Sequence, residues 1–322
     1  RRFPTESAGS IFRMLMRGRP TEPEVWPNGM PGPDIENGQN PYVITTNATG
    51  YQDNPTDYVQ TNASVAITNP WINGLKLTLS GAIDKNSQTN KIWQTPWMLY
   101  YWDKKTYEAD GVTPKLEGAV RSNFKDPRLT QSYRSVLNTN LSAMLNYDKT
   151  IGDDHVIGVL AGVTKETFKG EFFSAFRRNY ISAAVDQLFA GGSLQQNTDG
   201  SAYERARLGY YGRVQYAYKE KYLAEYIWRY DGSYIFPESK RFGFFPGVLL
   251  GWNITSEPFF KVPGIDYMKL RASYGQMGND QVAFDRNRNG VIDGGELQEY
   301  AFLSTYGFGQ YPINSAVATT LV

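Results

Sequence analysis

Extended segments in which unlike residues alternate one by one dominate this chain, and a period of two commits the backbone to β-strands with two dissimilar faces. In "LKLTLSGAID" one face carries Leu75, Leu77, Leu79 and Ile83, and the other Lys76, Thr78, Ser80 and Asp84. In "YLAEYIWRYD" one face is Tyr222, Ala224, Tyr226, Trp228 and Tyr230; the opposite one mixes Leu223 and Ile227 with Glu225, Arg229 and Asp231. The same reading holds for residues 58–68, 135–147, 207–219 and 267–275, and more loosely for 155–166 and 242–255, which makes about eight strands.

Alternating strands also build soluble sandwiches, so length and connections must decide. Runs such as 207–219 reach the ~9–11 residues that a tilted strand needs to cross a bilayer. The connections alternate in length as well. Residues 69–74, 148–154 and 219–221 are short, 256–266 is fairly short and 231–241 intermediate, whereas 84–131, 170–206 and everything after 276 are long. Outer-membrane barrels have short turns at one end and long loops at the other. Trp71, Tyr216, Tyr218, Tyr222, Tyr230 and Trp252, near strand ends, then read as an aromatic girdle.

Composition agrees with this and removes several functions. A barrel shows lipid only every second residue, so a mean hydropathy of -0.49 is compatible with a membrane. Aromatic residues make up 15% of the chain. The absence of cysteine excludes disulfides and thiolate metal sites. A single histidine, His155, excludes multi-histidine zinc centres; beside "GDD" it reads as a turn or lumen residue. A net charge of +1 gives no case for a nucleic-acid partner. Carboxylate pairs such as Asp153/Asp154 and Asp231/Glu238 sit in turn sequences with nothing to converge them, and no catalytic residue is assigned.

Two stretches carry recognisable chemistry. "DRNRNGVIDGGE", residues 285–296, has the oxygen-ligand register of an EF-hand loop without helices. Asp285, Asn287, Asn289 and Asp293 would supply side-chain oxygens, Val291 its carbonyl and Glu296 two oxygens, for a structural Ca2+ that orders a long loop. Arg286 and Arg288 offset part of that charge. "IWQTPWMLYYWD", residues 92–103, clusters Trp93, Trp97, Tyr100, Tyr101 and Trp102. Flat aromatic faces stack on sugar rings, which makes these five candidate ligand or partner contacts; a loop of this length equally needs a small core of its own.

Specific strings then become informative. "GRVQYAYKEKY", "RYDGS", "FGFFPGVLLGW", "SEPFF" and "LRASYGQMGN", in this order and spacing, resemble the barrel of SusC/RagA-type TonB-dependent transporters of the Bacteroidetes outer membrane. "AAVDQLFAGG" and "NGQNPYVI" extend the resemblance to roughly residues 40–280. It implies an all-β fold, part of a large antiparallel transmembrane barrel that closes with about 22 strands. It also implies an internal segment of a longer transporter, because no TonB box, plug or closing aromatic strand is recognised.

The expected organisation is an extracellular loop region at 1–57, barrel strands with loops at 58–275, and an extracellular loop with the calcium-like motif and the start of a further strand at 276–322. The implied function is outer-membrane import of oligosaccharides or peptides under a SusD-like lipoprotein lid, with energy from TonB. A secreted calcium-dependent carbohydrate-binding or glycosidase β-domain is the alternative. Locally, "DGS" (Asp231 to Ser233) reads as turn chemistry, Pro246 as a bulge or unpaired position, and Gly275 and Gly278 as a sharp strand exit.

Overall fold

The computed structural model describes residues 2–3, 7–122, 124–280, 300, 302–303, 308–313 and 316–321. Short strands β1 (Arg2–Phe3) and β2 (Gly50–Asp53) flank helices α1 (Ala8–Met16) and α2 (Pro41–Ile44). β3 (Thr56–Thr68) and β4 (Leu75–Gln94) follow, then a separate hairpin of β5 (Met98–Tyr107) and β6 (Pro114–Val120). Long strands β7 (Arg128–Ile151), β8 (His155–Arg178) and β9 (Asn197–Tyr218) lead to β10 (Tyr222–Ser233), β11 (Phe242–Asn253) and β12 (Lys269–Gly275). Among the described residues, β13 (Phe308–Ile313) and β14 (Ala316–Leu321) pair only with each other. The main sheet runs β1-β2-β4-β7-β8-β9-β10-β11-β12, with β3 also on β4, so from β7 onward each strand pairs with its sequence neighbour.

All eight strands read from alternation are present, and several run further than the alternation does. β7 and β8 have 24 residues each, which at ~3.3 Å per residue is roughly 80 Å, far beyond a bilayer core of ~30 Å. The long connections therefore shrink to 95–127 and 179–196, because parts of 84–131 and 170–206 are strand.

The turns are explained by local chemistry. Asn69 Oδ1 accepts from the N–H groups of Trp71 and Ile72 at 2.8 and 2.9 Å, closing "NPWING" as an Asx-type turn. Gly74 ends it at φ +89°, and a Cβ there would fall 1.9 Å from the Asp148 carbonyl oxygen. The "KEK" turn places Lys219 and Glu220 at φ +50° and +54°, the two left-handed residues a tight hairpin requires.

Pro246 causes no bulge. It pairs with Trp228 inside an unbroken β10–β11 register, and its carbonyl accepts from Gln276 N at 2.9 Å, so its missing N–H points past the last paired residue of β12. The "DGS" reading is corrected in part: Asp231–Ser233 are the last three residues of β10, and of them Ser233 opens the turn that follows, its carbonyl accepting from Phe236 N at 3.3 Å. Gly278 leaves room for the Phe245 ring, as a Cβ there would lie 2.3 Å from it and displace it.

The chain divides into two compact units. One comprises residues 1–59, 84–137 and 169–203; the other comprises 60–83, 138–168 and 204–322. The first has two small cores: Tyr51, Trp93, Leu129 and Tyr180 in one, Val43, Trp97 and Leu99 in the other. The second is a wall with two exposed faces.

Candidate transport surface

Directly paired residues of antiparallel strands share a face, so the strand register sorts the second unit's side chains. One row across the sheet is Tyr216, Ala224, Leu250 and Ala272; another is Val214, Tyr226, Val248 and Tyr274. Continuing along the strands, this face carries Tyr210 to Tyr218, Tyr222 to Tyr230, Phe244 to Trp252 and Leu270 to Tyr274 at every second position. Among the described residues of β9 to β12, none of these positions is charged. The face is also uncovered, with Tyr226 41%, Val248 41% and Leu250 56% exposed. No helix among the described residues is long and apolar enough to cross a membrane.

The other face is mixed and polar. It pairs Gln215, Glu225, Leu249 and Ser273, then Tyr211, Arg229 and Phe245. Further along the unit, Ser80 and Ser142 hydroxyls meet at 2.9 Å, and Asn140 bonds Thr164 and Glu166 at 3.4 and 3.3 Å. An apolar face without cover, backed by a polar one, is the arrangement of a membrane barrel wall and not of a sandwich.

Aromatic rings mark both ends of the apolar face. At the turn end His155, first residue of β8, places Nδ1 2.7 Å from the Tyr216 hydroxyl and its ring 5.0 Å from that of Tyr218. His155 is thus at a turn, as read, but on the apolar face and not in a lumen. Tyr218 and Tyr222 stack at 6.5 Å. At the other end Tyr230 stacks on Phe242 at 5.0 Å. From Tyr222 to Tyr230 a strand runs roughly 26 Å, or about 20 Å of depth at ~40° tilt, most of the ~25 Å apolar band of outer-membrane barrels. Trp71, in the turn before β4, is 89% exposed.

Near the end of β10 the polar face forms a concavity of about 510 Å³. Arg229 donates through two nitrogens to both oxygens of Asp231, at 2.8 and 2.9 Å. Gly209 gives that carboxylate room, because a Cβ there would be 2.4 Å from Asp231 Oδ1. Arg207 Nε and the Ser233 hydroxyl donate to Asp280 Oδ2 at 2.7 and 2.9 Å. Burial opposes ionisation of Asp280, but those two donors outweigh it and hold its acid below the usual range. The pieces "RYDGS" and "GQMGND" therefore meet through Ser233 and Asp280, a convergence of ion pairs that turn chemistry alone did not suggest.

The aromatic candidates of the first unit are dispersed. Trp93 is 4% exposed, edge-on to Tyr180 at 4.7 Å. Trp97 is 6% exposed and donates Nε1 to the Gly38 carbonyl at 2.8 Å. Neither offers a face to a sugar ring. Tyr101 is half-buried, its hydroxyl accepting from Asp34 N at 3.2 Å with the Arg121 guanidinium 4.7 Å from its ring. Tyr100 and Trp102 are also half-buried, and Trp102 Nε1 donates to Thr106 O at 2.7 Å. The five residues are split between two cores and one hairpin.

Asp126 anchors the chain before β7 by receiving both Arg178 Nε, at 2.9 Å, and Arg178 Nη2. That guanidinium keeps its acid low. The proposed calcium ligands Asp285, Asn287, Asn289, Val291, Asp293 and Glu296 lie outside the described residues. Among the described residues no cluster of three or more acidic or histidine side chains is placed to hold a metal ion.

The fold and its two faces define a segment of antiparallel membrane-barrel wall, and comparison with known proteins gives its kin. Two TonB-dependent receptors of Formosa agariphila match, one 37% identical over 142 residues (42% of this chain) and one 31% identical over 156 residues (48%). The TonB-dependent receptor SusC of Bacteroides thetaiotaomicron is 34% identical over 101 residues, 31% of this chain. The chain spans only 10–16% of the length of these relatives. The RagAB peptide transporter superposes with a TM-score of 0.64 at 16% identity, over 84% of this chain and 26% of that one. Its "open-open" state gives 0.61 at 17% identity. No protein-family model matches. The resemblance read from the sequence is borne out: this chain is similar to a segment of SusC/RagA-type TonB-dependent transporters, and its fold is that of their barrel wall.

Proposed function

We propose that the chain is part of an outer-membrane importer of oligosaccharides or peptides, contributing barrel wall, extracellular loops and docking surface. The observation that carries this is the uncharged, uncovered outward face of β9 to β12 with ion pairs on its reverse. Lipid takes the outward face, and the polar face lines a water-filled path. TonB would act through parts of the protein outside this sequence, and a SusD-like lipoprotein would close the extracellular side. The similarity to SusC and to RagAB supports both partners. No covalent chemistry is required of these residues, so the protein is read as a carrier and not an enzyme. Calcium at 285–296 would be structural, offsetting the entropy of ordering a long loop.

The test is fractionation and affinity purification of the full-length protein from its native host. The reading expects it in detergent-extracted outer membrane together with a lipid-anchored partner; recovery as a soluble protein from periplasm or medium would overturn it.

A further inference from the structure

The connection between β11 and β12, residues 254–268, turns toward the apolar side at the strand ends, where Glu257 touches the end-row residues Tyr222 and Trp252 and sets that direction. Its Oε1 accepts from the Tyr222 hydroxyl at 2.7 Å and from Trp252 Nε1 at 3.1 Å, and both donors belong to the outward rows. Its Oε2 meets Lys221 Nζ at 3.2 Å, and the side chain is 8% exposed. The Tyr222 hydroxyl first, then Trp252 and Lys221, hold this acid below the ordinary glutamate range, so it stays an anion clasped by three donors. The clasp brings Phe259 to 6.3 Å from Trp252.

Beyond it the connection keeps turn residues in Gly264 and an exposed Asp266, but it also presents apolar and aromatic side chains. Phe259 is 69% exposed, Val262 47%, Ile265 45%, Tyr267 63% and Met268 44%, with Lys261 exposed among them. Turns in water favour Gly, Asn, Asp and Ser, whereas apolar and aromatic side chains interspersed with lysine suit the boundary between headgroups and acyl chains. The patch is continuous with the aromatic belt of Tyr218, Tyr222 and Trp252.

We propose that residues 254–268 are an interfacial lipid-binding segment. It lies along the outer wall at the turn end of the strands and takes a phosphate-bearing glycerolipid. Phe259, Val262 and Ile265 enter the acyl boundary, and Lys261 faces the headgroup phosphate. Glu257 is the positioning residue that keeps the segment against the wall. The inference rests on the membrane-wall reading above.

The experiment uses the full-length protein in vesicles of phosphatidylethanolamine and phosphatidylglycerol. An environment-sensitive fluorophore is attached at Phe259→Cys, with Val262→Cys as a second probe of the segment and Tyr226→Cys as a probe of the wall. Nitroxide-bearing phospholipids are expected to quench all three at least about two-fold, with the label at 259 responding most to a nitroxide near the headgroup. Adding Glu257→Ala is expected to abolish quenching at 259 and leave that at 226 intact. Quenching at 226 with none at 259 or 262 would overturn this inference alone; quenching at none of them would overturn the wall reading with it.

Discussion

Arginine at position 248 tests which face meets hydrocarbon, because the next residue supplies its own control. Val248 sits midway along the outward row from Phe244 to Trp252, with Tyr226 and Tyr274 as its paired neighbours. Four residues to either belt is ~13 Å along the strand, or roughly 10 Å of depth at ~40° tilt, which places it near the bilayer midplane. Arginine on a lipid face at that depth costs ~2–4 kcal/mol, a loss of roughly thirty-fold to almost a thousandfold in the folding equilibrium. Leu249 points to the polar face opposite Glu225, where an arginine gains an acidic neighbour and water. The assay is equilibrium folding of the full-length barrel into vesicles over a urea series, read by heat-modifiable migration. Val248→Arg should lower stability by ~2–4 kcal/mol and Leu249→Arg by less than ~1 kcal/mol. If Leu249→Arg cost as much as Val248→Arg, the assignment of faces would be wrong.

Other perturbations probe separate links. Gly74→Ala forces a side chain into a φ of +89° and against the Asp148 carbonyl; it should cost at least ~1–3 kcal/mol in the same folding assay, more than alanine at the open, also left-handed Gly152. Asp280 is held below its ordinary value of 3.8, so the stability it contributes is present above that value and lost as pH falls through the lower folded pKa. Thermal melts should show Asp280→Asn destabilised by ~1 kcal/mol at neutral pH, given a partner, Arg207, that is nearly half exposed, with the gap to the parent closing in acid below about pH 3.8. Calorimetry on the full-length protein should detect calcium uptake that Glu296→Gln strongly weakens; unchanged uptake would refute the ion-loop reading.

What was legible in the sequence follows from where alternation is enforced. Between the aromatic belts one face meets an apolar medium and the other water, so "LKLTLSGAID" and "YLAEYIWRYD" declare both strand and face. In "DKNSQTNKIW", the second half of β4, polar residues occupy both faces and periodicity vanishes, although the backbone goes on pairing to Gln94. The first half of β9 outran its sequence signal for the same reason, whereas the far half of β8 mixes Phe168, Phe172, Phe173 and Phe176 with charged residues on both faces. Trp93 and Trp97 are four residues apart, yet one packs on Tyr51 and Tyr180 and the other on Val43. Those partners are remote in sequence, and local composition cannot distinguish such anchors from a stacking platform. "DGS" carries a strong turn signal, but the glycine sits in the last strand residues, and the role of Asp231 depends on Gly209 of the neighbouring strand. Helix α1, capped by Ser7, is a single short element that strand periodicity had no means of announcing.

Lipid contact by alternate side chains of these strands is tested most directly by a nine-position scan of β11. Single labels placed in turn at residues 244 to 252 of the full-length protein in vesicles would be quenched by chain-borne nitroxides and, separately, by a water-soluble quencher. The lipid probe should act at 244, 246, 248, 250 and 252 and the aqueous probe at the positions between them. Uniform response along the strand, or the opposite phase, would contradict the membrane wall.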